Sequence, residues 1–161
     1  MKARYKLEIE RLYLELYPLL FEYARSSLSS DSLAEEAVQE TFRIACQKPE
    51  SLIHSPNPEG WLVNTLKNVL RNTIRNQNIS RRILLDYFAS NINDITVTND
   101  RVELEILYED VADLEEFKMV KAMALEGKSY VEMSKELGIS MAACRKRMQR
   151  ARETLRKKIK L

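Results

Sequence analysis

The residues of this sequence with the most defined chemistry are cations, in the segment SYVEMSKELGISMAACRKRMQRARETLRKKIK at residues 129–160. Arginine and lysine can bind phosphate or hydrogen-bond the O6 and N7 atoms of guanine, and glutamine can pair with adenine. In a helix, about 100° between successive residues gathers the apolar side chains of this segment into one stripe, away from most cations. The stripe is Met141, Cys144, Met148, Ala151, Leu155 and Ile159. We therefore expect a helix whose outer face binds a polyanion.

A helix-turn-helix is predicted around this basic helix. Ser129 and Glu132 have the spacing of a capping box, which starts a helix, and Gly138 can adopt the left-handed conformation that ends one. Ser140 can then cap the second helix. Two short helices joined by such a corner are the geometry that places the second helix in the DNA major groove. The alternative is an ordinary amphipathic helix with a solvated charged face, and the preceding capped helix and corner favour DNA binding over it.

The candidate DNA contacts form two sets. Side chains on the groove-facing arc of the second helix would read base edges, whereas flanking cations would bind phosphate and set the register. The base-reading candidates are Arg145, Lys146, Gln149 and Arg150, and the phosphate candidates are Arg147, Arg152, Arg156 and Lys128.

Composition predicts an all-α, intracellular protein. The chain has 161 residues, of which 45% are hydrophobic and 31% charged, with only three glycines and four prolines. Cys46 and Cys144 lie in no metal-ligand spacing, so we interpret both as reduced core thiols. The first residues carry charges every few positions. We therefore expect no signal peptide, no membrane insertion and a cytoplasmic location.

Charge is segregated along the chain although the net charge is only +2. Residues 61–90 have a net charge of +4 and residues 117–161 one of +9, whereas residues 91–116 have −8. This pattern indicates two separate surfaces that meet a polyanion.

A linker is predicted at residues 86–101, because this stretch is rich in Asn, Asp, Ser and Thr and has weak periodicity. It would join two small helical domains, an N-terminal one at residues 1–85 and a C-terminal helix-turn-helix domain at residues 102–161.

The segment 32–47 is predicted to be a helix opened by a capping box of Ser32 and Glu35. Its apolar face is Ala34, Ala37, Val38, Phe42 and Ala45, and its opposite face is Glu36, Gln39, Glu40 and Arg43. Because an acidic face cannot lie on DNA, we expect the second face to bind a protein partner. A preceding helix over 7–28 is predicted, with Leu12, Leu16, Leu19, Leu20 and Tyr23 toward the core.

A third helix is predicted at residues 61–75, after an irregular loop at 49–60 that contains three prolines. Amide and cationic side chains beside an aromatic residue suit single-stranded nucleic acid, where bases stack on rings. The candidates are Trp61, Asn64, Lys67, Asn68, Arg71 and Arg75. An equally good interpretation of Trp61 is that it fills the core, and it could do both.

No set of residues indicates catalysis. There is no nucleophile with a base to propose, no metal-ligand spacing and no glycine-rich phosphate loop. His54 stands alone and is interpreted as a surface residue. We therefore expect a protein that is not an enzyme and uses no metal or cofactor.

Three groups of residues, in this order, resemble the extracytoplasmic-function (ECF) sigma factors, the two-domain class of bacterial transcription initiation factors. They are VQETF at residues 38–42, the pair Trp61-Leu62 with Asn68 seven residues after Trp61, and the helix-turn-helix from Ser129-Tyr130 through Gly138-Ile139-Ser140 to Leu155. The resemblance covers about residues 12–159.

The resemblance implies binding to the RNA polymerase core, at the clamp helices of its largest subunit and at its flap, and binding to promoter DNA. The first domain would melt the downstream ("minus ten") promoter element, and the second would read the upstream ("minus thirty-five") element. The linker would thread through the polymerase toward the RNA exit channel. An anti-sigma factor is implied as a further partner.

Two other functions stay open at this point. A stand-alone helix-turn-helix regulator would give a palindromic footprint without polymerase. A sigma-like polymerase-binding subunit that needs a second chain would bind core polymerase yet fail to open a promoter alone.

Overall fold

The computed structural model of the protein describes residues 2–28, 30–91 and 115–159, and these ranges contain seven α-helices and no β-strand. The helices are α1 (Ala3–Ser27), α2 (Asp31–Gln47), α3 (Pro49–Ile53), α4 (Pro58–Asn91), α5 (Glu115–Ala124), α6 (Tyr130–Leu137) and α7 (Met141–Lys158). The predicted all-α class is confirmed. The sequence also predicts an acidic helix at 102–111, and this segment lies outside the described residues.

The chain divides into two compact units, an N-terminal unit (Met1–Arg75) and a C-terminal unit (Asn76–Leu161). The division falls within α4, which continues to Asn91. The linker predicted at 86–101 therefore begins inside this helix, and the rest of it lies outside the described residues. The boundaries of the two predicted domains stay a prediction.

The core of the N-terminal unit lies where α1, α2 and the first half of α4 meet. All five residues of the predicted apolar face of α2 are buried, which confirms that face. The ring of Phe42 meets that of Tyr13 edge-on, with 4.9 Å between centroids. The largest fully buried side chains of this unit are Leu12, Leu20, Val38, Thr41, Leu52, Leu62 and Leu66.

Two core predictions for α1 are wrong, because Leu19 is 62% exposed and Tyr23 is 41% exposed. The buried positions of α1 recur at helical spacing through Leu12, Leu20 and Ala24. Leu19 lies about 100° around the helix from Leu20, and so points away from α2. Apolar residues crowd this helix, and contact with the rest of the N-terminal unit selects which of them are buried.

The helix boundaries around α2, α3 and the start of α4 differ from the prediction. Ser30, not Ser32, is the N-cap of α2, and its Oγ accepts a hydrogen bond from the Leu33 amide. The predicted irregular loop at 49–60 contains α3 and the start of α4. Both helices begin with a proline, Pro49 and Pro58, where the missing amide hydrogen would have no partner in the helix.

The C-terminal unit packs residues 76–91 of α4 with α5, α6 and α7. The second half of α4 was missed as a helix, and it contributes Ile83, Leu84 and Tyr87 to the core. The sequence predicts a helix that starts at a capping box of Asp113 and Glu116 and packs Phe117, Val120 and Ala124 under the helix-turn-helix, and all three residues are buried in α5. In α4, Ile79 packs against the core residues Ile83, Leu84 and Tyr87. These four residues are 4, 1 and 3 positions apart, a spacing typical of one face of a helix.

The predicted helix-turn-helix is confirmed. The Ser129 side chain accepts from the Glu132 amide and the Glu132 side chain accepts from the Ser129 amide, which completes the capping box. Gly138 ends α6 with a φ of 63°. Ser140 caps α7 by accepting from the Ala143 amide.

None of the helices in residues 2–28, 30–91 and 115–159 combines the length and the apolar character needed to cross a bilayer.

Replacing Leu20 and Leu19 separately by alanine tests the orientation of α1. Leu20→Ala removes a side chain that is 1% exposed and should lower the free energy of unfolding by about 2–5 kcal/mol. Leu19→Ala, its neighbour on the exposed side, should change it by no more than about 0.5 kcal/mol. Guanidinium titration followed by circular dichroism measures both, and a larger loss for Leu19→Ala would contradict the observed rotation of α1.

Candidate nucleic-acid interface

The rotation of α7 about its axis is set by four buried side chains. Cys144, Met148, Ala151 and Leu155 are each at most 1% exposed, which confirms most of the predicted stripe. Burial raises the pKa of the Cys144 thiol, so this group stays protonated in the core. With this stripe inward, the opposite side of α7 faces solvent.

The exposed side of α7 carries most of the predicted DNA contacts, and we call these residues the cationic face: Arg145, Lys146, Arg147, Gln149 and Arg150. The Gln149 amide donates a hydrogen bond to Glu153 at 3.3 Å. Four of the five residues of the cationic face are cations with extended side chains, so it can bind phosphate and base edges together.

Two of the predicted phosphate contacts already have carboxylate neighbours. Lys128 lies 2.9 Å from Glu136 and 3.5 Å from Glu126, and its hydrogen bond to Glu136 raises its pKa. Arg147 lies 3.8 Å from Glu115. Surface ion pairs of this kind contribute little to stability, so these cations can exchange a carboxylate for a phosphate.

Arg152 lies inside the C-terminal unit and apart from the cationic face. Its guanidinium donates to Ser80 Oγ at 2.8 and 3.1 Å and to the Asn76 carbonyl oxygen at 3.0 Å. Burial lowers its pKa. A phosphate contact was predicted for this residue, and the structure instead places its guanidinium against α4. The helical position of Arg152 gave no sign of this, because α4 approaches from 72 residues away in the sequence.

Tyr130 is a functional candidate that the sequence did not reveal. It begins α6, and its ring lies 5.7 Å from Arg145 Cζ, a distance at which a guanidinium is attracted to an aromatic face. No local sequence pattern links these two residues, since the corner between α6 and α7 brings them together.

The predicted single-strand contacts in the N-terminal unit share one side of α4. Asn64, Asn68, Arg71 and Arg75 are exposed and recur at intervals of 4, 3 and 4 residues, which places them within one stripe. Arg71 donates to the Asn68 side-chain oxygen at 3.4 Å. Lys67 is partly buried and lies at the edge of the stripe. We call these five residues the α4 polar face.

Trp61 packs partly against the core of the N-terminal unit. Its indole nitrogen donates to Ser51 Oγ at 3.2 Å, a contact that the sequence did not predict. The ring is therefore fixed at one end of the α4 polar face. Both interpretations of this residue remain compatible with its position, since one part of the ring is buried and another is accessible.

The polar residues of α2 are also brought together, and we call Glu36, Gln39, Glu40 and Arg43 the α2 polar face. Gln39 and Arg43 are exposed, whereas Glu36 and Glu40 are partly exposed. Arg43 donates to Glu40 at 2.6 Å, and this bond raises the pKa of the guanidinium. The single cation is thus paired within the face, which leaves negative charge that disfavours contact with DNA.

Two family models match the chain. The model for sigma-70 region 2 matches residues 12–79, and a model for sigma-70 region 4 matches residues 115–155. The chain belongs to the sigma-70 family. The region 4 model that matches is typical of ECF sigma factors, in agreement with the resemblance noted from the sequence. No curated protein sequence matches the chain.

This sigma factor binds RNA polymerase and promoter DNA, and sigma factors are not a family of enzymes. The region 2 match contains the α2 polar face and the α4 polar face. The region 4 match contains α5, α6 and most of α7, with the whole cationic face. Each of these three surfaces therefore lies in a segment that matches a sigma-70 region.

Replacing Arg152 by alanine tests whether it stabilises the sigma factor from within. The change leaves the Asn76 carbonyl and Ser80 without their partner, so the free energy of unfolding should fall by about 1–3 kcal/mol. Arg150→Ala, on the exposed side of the same helix, should change it by no more than about 0.5 kcal/mol. Thermal unfolding followed by circular dichroism measures the difference. Equal stability of the two variants would contradict a structural role for Arg152.

Proposed function

We propose that this protein is an ECF sigma factor in which the C-terminal unit reads the upstream promoter element and the N-terminal unit binds the polymerase clamp and melts the downstream element. The observation that carries the proposal is the cationic face of α7, because it lies on the second helix of a capped helix-turn-helix. In that motif the second helix enters the major groove.

Reading of the upstream element would fall to four residues of the cationic face. Arg145, Lys146 and Arg150 can reach guanine O6 and N7, and Gln149 can pair with adenine. Arg147 and Arg156 are exposed on opposite flanks of α7 and would bind phosphate. Such contacts fix the register without carrying sequence information.

The α2 polar face is the proposed contact with the clamp helices of the largest polymerase subunit. Its exposed amide and partly exposed carboxylates can donate and accept hydrogen bonds, and its negative charge would meet a basic protein surface. Its place on α2, whose other face is buried throughout, provides a rigid support for such a contact.

A cleft of about 280 Å³ in the C-terminal unit is the proposed contact with the polymerase flap. Met119, Met133 and Leu137 provide apolar lining, and Lys118 and Glu136 are among the charged residues at its rim. An apolar side chain of a protein partner fits such a cleft better than DNA does, because methionine side chains adapt to irregular apolar groups.

The α4 polar face with Trp61 is the proposed contact with the melted strand. Bases stack on aromatic rings, and amide side chains can both donate to and accept from base edges. Arg71 and Arg75 add positive charge along the same stripe, which suits the phosphates of that strand.

An anti-sigma factor as a partner and a cytoplasmic site of action complete the proposal. Both are what the family resemblance implies.

The direct test is to add the purified chain to core RNA polymerase and map transcription start sites on genomic DNA. A set of start sites preceded by common upstream and downstream elements is expected. A palindromic footprint without polymerase would favour a stand-alone regulator. Core binding without promoter opening would instead indicate that a second chain is required.

Replacing both Gln39 and Glu40 by alanine should weaken binding to core polymerase by about tenfold, equivalent to about 1.4 kcal/mol. The helical circular dichroism should not change, because both side chains lie outside the core. A matched control is the double variant Gln47→Ala/Glu50→Ala, which removes one exposed amide and one exposed carboxylate outside the α2 polar face. Affinity measured by fluorescence anisotropy would exclude the proposed surface if both double variants bound as the parent does.

Replacing Asn68 by alanine should reduce open-complex formation by about tenfold while core binding is retained. The reason is that unstacking a base costs a few kcal/mol, which a pocket must offset. Permanganate reactivity of unpaired thymines measures opening, and a promoter with a pre-melted mismatch bubble should partly restore it. Asn78→Ala is the control, at an exposed asparagine that follows the α4 polar face along the same side of the helix. Normal opening of duplex promoters by Asn68→Ala would leave this residue without a role in melting.

A further inference from the structure

Tyr130 is held in place by interactions with the interior of the C-terminal unit. It is partly buried at the start of α6 and packs against the core of this unit. Its side chain also lies near the Arg152 guanidinium, whose positive charge opposes the rise in the phenol pKa that burial causes. Arg152 is in turn bound to Ser80 and to the Asn76 carbonyl oxygen. Helices α4, α6 and α7 thus meet at this tyrosine.

The ring of Tyr130 also contacts the cationic face. Arg145 Cζ lies 5.7 Å from the ring centroid, while the arginine side chain remains exposed to solvent. Arg145 is the cation that lies over the ring, whereas the Arg152 guanidinium is bound to Ser80 and to the Asn76 carbonyl oxygen. Because burial raises the pKa of Tyr130, the neutral phenol is the form present.

We propose that Tyr130 is a positioning residue for Arg145 and thereby contributes to recognition of the upstream promoter element. This inference rests on the proposed function, in which Arg145 reads that element. Packing against the core of the C-terminal unit fixes the tyrosine, and the tyrosine ring holds the Arg145 guanidinium in a restricted set of orientations.

The physical basis is conformational entropy. A long cationic side chain that is free in solution loses rotamer freedom when it binds, and this loss weakens binding. A guanidinium that already lies over an aromatic ring has lost part of that freedom before DNA arrives. Among the residues that the structure describes, Lys146 and Arg150 have no such contact with an aromatic ring, so Arg145 should be more ordered than either of them.

Different replacements of Tyr130 separate two roles, positioning of Arg145 by the ring and filling of apolar space in the core. Tyr130→Phe retains the ring and removes only the hydroxyl. Tyr130→Leu fills similar apolar space without a π face, and Tyr130→Met is a second ring-free replacement that adapts to irregular packing. Ring-free variants should lose the Arg145 contact, whereas the phenylalanine variant should keep it.

The experiment is a double-mutant cycle between Tyr130 and Arg145, measured as affinity and base preference of reconstituted holoenzyme on promoters with randomised upstream elements. Tyr130→Leu or Tyr130→Met should lower affinity for the preferred element by about two- to fivefold, the range expected for an exposed cation–π contact. Base preference should weaken at the same position that Arg145→Ala affects. In the Arg145→Ala background, the ring-free replacement should have no further effect. Tyr130→Phe should remain close to the parent.

The control cycle pairs Tyr130 with Arg150, which lies about 140° around α7 from Arg145. In this cycle the fold loss of affinity in the double variant should equal the product of the losses in the two single variants. The inference is overturned if the Tyr130 and Arg145 effects also multiply, or if Tyr130→Phe loses as much affinity as the ring-free variants, since the hydroxyl would then act directly. If holoenzyme reconstituted with the unchanged protein selected no upstream element, the result would instead contradict the proposed function itself. Thermal unfolding of each variant establishes that the unit is folded.

Discussion

Burial of one stripe of α7 is the constraint on which the proposed DNA-binding face of this protein depends. Cys144, Met148, Ala151 and Leu155 occupy the core of the C-terminal unit, and a helix has no second orientation that buries the same four side chains. A rotation by one residue, about 100°, would expose them and bring cations toward the core. Burying an unpaired cation is far more costly than exposing one apolar group. The cationic face is therefore directed outward by the same interactions that stabilise the fold.

Arg152 is the exception, and it explains why the C-terminal unit extends beyond the helix-turn-helix. Its cost of burial is offset by hydrogen bonds from its guanidinium to Ser80 and to the Asn76 carbonyl. Both acceptors are in the second half of α4, which also adds Ile83 and Leu84 to the core. A segment that looks polar and basic in the sequence is thus an integral helix of this unit.

The N-terminal unit presents two chemically different surfaces on neighbouring helices. The α2 polar face has its cation paired internally and is left acidic, whereas the α4 polar face combines amides with arginines. An acidic surface repels DNA and an amide-rich cationic one attracts it, so a protein partner and a nucleic acid can be sorted by charge alone. In the proposed function, this separation would keep polymerase and promoter on different surfaces.

The sequence by itself determined the features that depend on local rules. The apolar face of α2, the capping box at Ser129, the left-handed turn at Gly138 and the buried stripe of α7 all follow from helical period and cap chemistry within a few residues. The family, with its two functions of polymerase and promoter binding, was accessible for the same reason, because its motifs are local.

Only the tertiary structure decided which of several similar side chains are buried and which distant side chains come into contact. Leu19 and Leu20 are equally apolar, and contact with α2 buries only the second. The position of the Tyr130 ring beside Arg145 and the inward turn of Arg152 depend on partners brought near by folding, in one case across 72 residues. Sequence periodicity describes one helix at a time, whereas these arrangements are set by the energy of packing several helices together.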